Sequence, residues 1–189
     1  MDFRTAFLAD VIRTYRNYKT LAEAAMEQIT DDDLHTLVDP EANSIAIVVK
    51  HVGGNLRSRF MDFLTSDGEK PDRNRDAEFE MPEPMSRAEL LALWERGWAA
   101  ALGAVEALMP DDLDRTVTIR GEPFLAAEAL TRSVTHTAYH VGQIVLLAKH
   151  FAGPRWKSLS VPKGRSADFA KGTFKAGIIP PRKTFTSRA

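Results

Sequence analysis

Apolar residues recur at helical spacing over four long stretches of the chain. In the first, from about Phe3 to Ile29, Phe7, Leu8, Val11, Ile12, Tyr15, Tyr18, Ala22, Ala25 and Met26 fall three or four apart. Such spacing gathers them on one buried stripe of a helix. Thr30-Asp31-Asp32-Asp33 punctuates its end. The second stretch runs from about Ser44 to Leu64, with Asn43 or Ser44 as the cap. The third starts at Ser86, where Ser86 and Glu89 form a capping-box pair. Its stripe is Leu90, Leu93, Trp94, Trp98, Ala101, Leu102 and Val105. The fourth runs from about Glu122 to Phe151, with Pro123 in its first turn and Gly153-Pro154 as the stop. Between them, Thr116–Arg120 alternates as a short strand turned by Gly121. Pro71, Pro82 and Pro84 break the connection from Thr65 to Met85, which is long enough to cross the end of a bundle. The pattern predicts an all-α four-helix bundle over residues 1–151, with a β-hairpin-like segment near 116–121. An irregular extension follows over 152–189.

One short echo runs through it. Asp32-Asp33-Leu34 follows the first helix and Asp111-Asp112-Leu113 follows the third. A histidine-bearing helix comes after each, which suggests two similar helix pairs.

Composition narrows the chemistry. At 189 residues with 44% hydrophobic content the chain can bury a core without staples. It contains no cysteine, so disulfides, thiolate metal sites and a cysteine nucleophile are excluded. Acidic and basic residues interrupt the first twenty positions, and the longest apolar runs, Ile45–Val49 and Ile144–Ala148, are too short to span a bilayer. A cytoplasmic protein with no membrane partner is expected. The net charge of −1 is unevenly spread. Residues 152–189 carry nine Lys/Arg and one acid, a net +8, and residues 1–151 a net −9. The basic positions are dispersed, so the extension is read as lying on the acidic bundle or on a partner subunit, not as a nucleic-acid site.

The five histidines are His35, His51, His136, His140 and His150. His136 and His140 are four apart on the last helix, so their rings can converge on one ion. The residues between them are Thr-Ala-Tyr, without the glutamate that a metalloprotease helix carries after its first histidine. His51, alone on the second helix, is the natural third ligand. Ser44, Asn55, Ser58 and Asp62 share its face, and a face that polar implies a wet cavity. His35 is read as a solvated loop residue, and His150 lies too far along its helix to share the ion. Gln143 is placed to hydrogen-bond a ligand or orient a substrate. Asn55, like Gln143, is expected to hydrogen-bond a metal ligand or to line the substrate pocket. Tyr139 is read as packing, and Trp94 and Trp98 as core. Three imidazoles suit a divalent ion: zinc or nickel first, with cobalt, iron, manganese or copper admitted. Three protein ligands with one open position is the pattern of a catalytic ion.

Val49-Lys50-His51-Val52-Gly53-Gly54-Asn55 and His136-Thr137-Ala138-Tyr139-His140-Val141-Gly142-Gln143-Ile144 resemble the paired motifs of the DinB/YfiT-like superfamily. The resemblance spans roughly residues 1–151, and the segment with Trp156 and Ser158–Ser166 is similar to a largely uncharacterised bacterial branch. It implies an up-down-down-up bundle, often a homodimer, with a metal held by His51, His136 and His140. It further implies thiol-transfer chemistry, since characterised relatives use bacillithiol or mycothiol, among them a maleylpyruvate isomerase. The ion would lower the pKa of a low-molecular-weight thiol. Arginine or lysine from the extension would then meet the carboxylates of that cosubstrate. Catalytic residues are not assigned.

The alternatives are metal-assisted hydrolysis, a non-catalytic stress-linked metal- or ligand-binding bundle, and a metal-free helical interaction domain. Hydrolysis needs a general base. Asp62 is some 16 Å along the helix from His51, and Glu23 or Glu27 would have to serve.

Overall fold

The protein is described by a computed structural model covering residues 2–167. Five helices form: α1 (Phe3–Met26), α2 (Asp31–His35), α3 (Ile45–Phe60), α4 (Arg87–Glu106) and α5 (Ala126–Ala152). Strands β1 (Thr116–Ile119) and β2 (Glu122–Leu125) make one antiparallel hairpin. Helix α3 packs on α4 and α5, and α1 packs on α4 and α5. Trp94, Trp98, Tyr15, Ile45, Leu130 and Ile144 lie fully buried at the centre. Among the described residues no helix is long and apolar enough to cross a membrane.

Local chemistry sets the boundaries. Helix α1 stops at Met26, three residues short of Ile29. Thr30 then caps a new helix instead of merely ending the old one. Its hydroxyl accepts from Asp33 N–H while the Asp33 carboxylate accepts from Thr30 N–H, which satisfies two end donors at once. His35, expected in solvent, closes α2 half-buried with Nε2 2.9 Å from the Met85 carbonyl. The echo has the same physical meaning in both copies. Asp112 accepts from Met109 N–H at the head of a 3-10 turn over Pro110–Asp114, and Leu34 and Leu113 are both buried.

Helix α3 ends at Phe60, not Leu64, because Met61 turns extended and Asp62 adopts a φ of 52°. The Ser86–Glu89 capping box opens α4 at Arg87. The last helix starts at Ala126 and not at Glu122, since Glu122–Leu125 pair with β1. Pro123 therefore sits in a strand of a two-stranded sheet, where a missing donor leaves no neighbour unsatisfied. In the register Ile119↔Glu122, Arg120 and Gly121 form the two-residue turn, with φ of 58° and 75°. Two positive φ values match the right-handed twist of a tight hairpin.

Helices α3 and α4 touch backbone to backbone. A Cβ on Gly53 would lie 2.8 Å from the Leu93 carbonyl oxygen, and one on Gly97 would lie 2.5 Å from that of Gly53. Only hydrogen fits at either position. After α5 the chain turns back: Leu159 is buried, and Lys157 N–H donates to the Gln28 side chain on α1. The expectations for the rest of the basic extension, 168–189, lie outside the described residues.

Candidate metal centre

His51 from α3 and His136 and His140 from α5 offer ring nitrogens that all lie within 4.8 Å of one another. His51 and His140 are buried and His136 is half-buried. His51 Nε2 and His136 Nε2 are 3.3 Å apart. Two nitrogens bound tetrahedrally at ~2.05 Å would be about 3.3 Å apart, so this pair already has the spacing a zinc-like ion requires.

The other ring nitrogens set the tautomers. Glu78 is held anionic: burial raises its pKa, but Arg73 and His51 outweigh burial and keep it below the ordinary carboxylate range. A carboxylate only accepts, so His51 Nδ1–H donates to Glu78 Oε2 at 2.8 Å, and in the neutral ring this puts the lone pair on Nε2, which faces the other rings. His140 Nδ1–H donates to Gln143 Oε1 at 2.9 Å, with the same result. His136 is kept neutral mainly by burial, and next by the charges of His140, His51, Arg73 and Arg59, which bring its pKa down to about 3. Burial also lowers the His140 pKa, against the pull of Gln143. Three imidazoles whose ring nitrogens converge, two of them with Nδ1 turned away to an acceptor, are a donor set that fits a divalent ion.

Glu78 is the participant that spacing along the chain does not reveal. It lies on a 3-10 turn, Asp76–Phe79, in the proline-bearing connection. Arg73 clamps it bidentately, Nε to Oε1 at 2.8 Å and Nη2 to Oε2 at 2.8 Å. Lys50 ties the same turn to α3 by donating to the Ala77 and Glu80 carbonyls. Phe79 covers the His51 ring at 4.5 Å between centroids. Gly54 makes the room: a Cβ there would lie 2.5 Å from Glu78 Oε1. In the Gly-Gly pair after His51, Gly53 admits α4 and Gly54 admits Glu78.

The polar face of α3 divides by task. Ser44 is the N-cap. Ser58 is buried, donating to the Gly68 carbonyl and accepting from Lys70 N–H, so it fastens the connection and does not wet a cavity. Asp62 has left the helix. Asn55, buried, lines a cavity of about 380 Å³ beside His51 and His136. Tyr139, expected to pack, is 65% exposed and lines that cavity's edge. Glu23 is engaged elsewhere, accepting from Trp94 Nε1 and Lys19. His150 is exposed.

Among the described residues no Asp or Glu lines the cavity, but Arg59, Arg75, Arg120 and Arg132 do. These cations come from α3, the connection, the hairpin tip and α5. The cations described at the cavity are thus not those of the C-terminal extension. Asp67 fixes the hairpin tip against the connection by accepting from Arg120 N–H and Gly121 N–H. Gly68 N–H adds a bond to the Thr118 carbonyl. Slight burial pushes the Asp67 carboxyl up, but backbone donors outweigh it and bring its pKa to about 2.

No curated protein and no solved structure matches the chain. Residues 2–165 match the family described as a protein of unknown function (DUF1572), and the chain belongs to that family.

Proposed function

We propose that His51, His136 and His140 hold a divalent ion, zinc or nickel first, at the centre of a DinB/YfiT-type up-down-down-up four-helix bundle. On this reading the protein is a metal-dependent enzyme that transfers or adds a low-molecular-weight thiol to a small electrophile. It works in the cytoplasm as a homodimer, with residues 1–151 as the bundle domain and 152–189 as a basic extension. The family it belongs to is DinB-like in general. The observation that carries the reading is the triad itself: two of its three rings border the 380 Å³ cavity. That volume is within the range of small-ligand sites.

A bound ion would supply Lewis acidity, lowering the pKa of a thiol in its open position. The chain's own residues do the rest. Glu78 and Gln143 hold His51 and His140 in the tautomers that aim Nε2 inward. Asn55 offers an amide to a bound substrate from the cavity wall. Transfer is favoured over hydrolysis because, among the described residues, no carboxylate lines the cavity to serve as general base for water. Glu78, which touches His51, is occupied by Arg73 and His51.

The test is turnover. Metal-reconstituted protein should consume a model electrophile such as 1-chloro-2,4-dinitrobenzene in a thiol-dependent manner with bacillithiol, mycothiol or glutathione. Full activity without any thiol would favour hydrolysis. No turnover across several electrophiles and all three thiols would leave a non-catalytic bundle.

A further inference from the structure

The charge around the cavity is one-sided. Arg59, Arg75, Arg120 and Arg132 reach it from four separate segments of chain. The nearby acids are already committed. Glu69 is shared by Arg59 at 3.1 Å, Arg73 at 3.2 Å and Arg120 at 3.2 Å. Glu78 is held by Arg73 and His51. Among the described residues Arg75 and Arg132 have no carboxylate partner, and Arg132 instead lies over the Phe124 ring. Arg59 carries a buried Nη1 with no hydrogen-bond partner. Burial pushes its pKa down, Glu69 opposes, and the fields of Arg73, Arg120 and Arg132 push it down further. Arg59 thus feels the like charges of Arg73, Arg120 and Arg132.

Arg120 adds a second kind of observation. It occupies the first position of the two-residue turn at a φ of 58°. Gly takes that conformation freely and Asn or Asp with little strain, whereas an arginine there is strained. The strain places a guanidinium at the cavity mouth that an ordinary turn residue would not supply.

We infer that this cavity recognises a small anionic substrate, its carboxylate or phosphate group seated among Arg59, Arg75, Arg120 and Arg132 and its uncharged end directed toward the three histidines. Guanidinium forks match both oxyanions through paired N–H donors. The inference rests on the metal-centre reading only for the direction of the bound molecule, and anion binding itself needs no ion.

The test is titration calorimetry at constant ionic strength with inorganic phosphate, succinate and neutral succinamide. It is run on chelator-treated and zinc-reconstituted protein, with zinc content measured on each sample. Saturable binding of phosphate or succinate in both forms, without binding of succinamide, is expected, and whichever anion binds tighter identifies the group. Arg120→Asn should weaken binding about tenfold while the Tm stays equal or rises, because the turn strain is removed. Arg132→Gln should weaken it similarly. Absence of saturable binding of both anions, or unchanged affinity in both variants, overturns the inference. Anion binding by protein that takes up no zinc supports it and sinks the metal reading. Zinc uptake without anion binding does the reverse.

Discussion

On the side of α3 that meets α4, Gly53 and Gly97 let two backbones touch, and the surroundings are Trp94, Trp98 and Val49, all buried. Around the helix, the side that meets α5 presents His51 and Asn55, with Glu78 filling the space above Gly54. The first side is fixed mainly by shape: where the two backbones touch, no atom can be added. The second is fixed by a chain of directed bonds, Arg73 to Glu78 to His51, in which each group is satisfied by the next. Adding an atom should therefore destabilise the first side and misdirect the second. Neighbouring glycines on one helix serve these two different ends.

The contrast can be broken most strongly at Gly97. Gly97→Ala places a carbon against the Gly53 backbone, which has nowhere to move. A loss of about 2 kcal/mol in urea denaturation is expected, even after the helix-propensity gain of about 1 kcal/mol from removing a glycine. Stability at or above wild type would show that the crossing is looser than described.

Gly54→Ala sharpens the other half. It should leave stability within about 1 kcal/mol, since the obstacle is the end of a side chain. Metal affinity should fall tenfold or more, because Glu78 is displaced from His51 and a lost ligand-orienting bond has that size of effect. Glu78→Gln should give the same loss in a competitive chelator titration.

The pH response comes next in size. His136 is held near 3 when folded against an ordinary 6.5. Below pH ~6.5 the unfolded chain therefore takes up a proton that the folded site refuses. Metal-free protein should lose about 1 kcal/mol between pH 7 and 5.5, and His136→Gln should flatten that slope. A wild-type stability that rises on acidification would contradict the assignment. The smallest effect is expected at Gln143. It is a neutral acceptor, so Gln143→Ala should weaken metal binding only several-fold, less than Glu78→Gln.

The long helices and the His136–His140 pair are legible in the sequence because a 3.6-residue period and a four-residue spacing are local properties. His51 is legible as the one histidine on a polar face. Glu78, Arg73 and Arg120 are not, because their place at the site is set by how an irregular connection folds back. That depends on Lys50, Ser58 and Asp67 finding partners far along the chain. The polar face of α3 also misleads in part: Ser58 is polar in order to hold a loop, not to meet water. The left-handed turn at Arg120-Gly121 leaves only Gly121 as its signal. Pro123 reads equally well as the first turn of a helix or as a strand residue.

Three histidines should hold one ion between them. Elemental analysis of purified, reconstituted protein should find close to one divalent ion per chain in the wild type. His51→Ala and His140→Ala, checked for retained helicity by circular dichroism, should each carry well under a tenth of that. Wild-type protein without metal after reconstitution, or folded variants that keep a full equivalent, would contradict it.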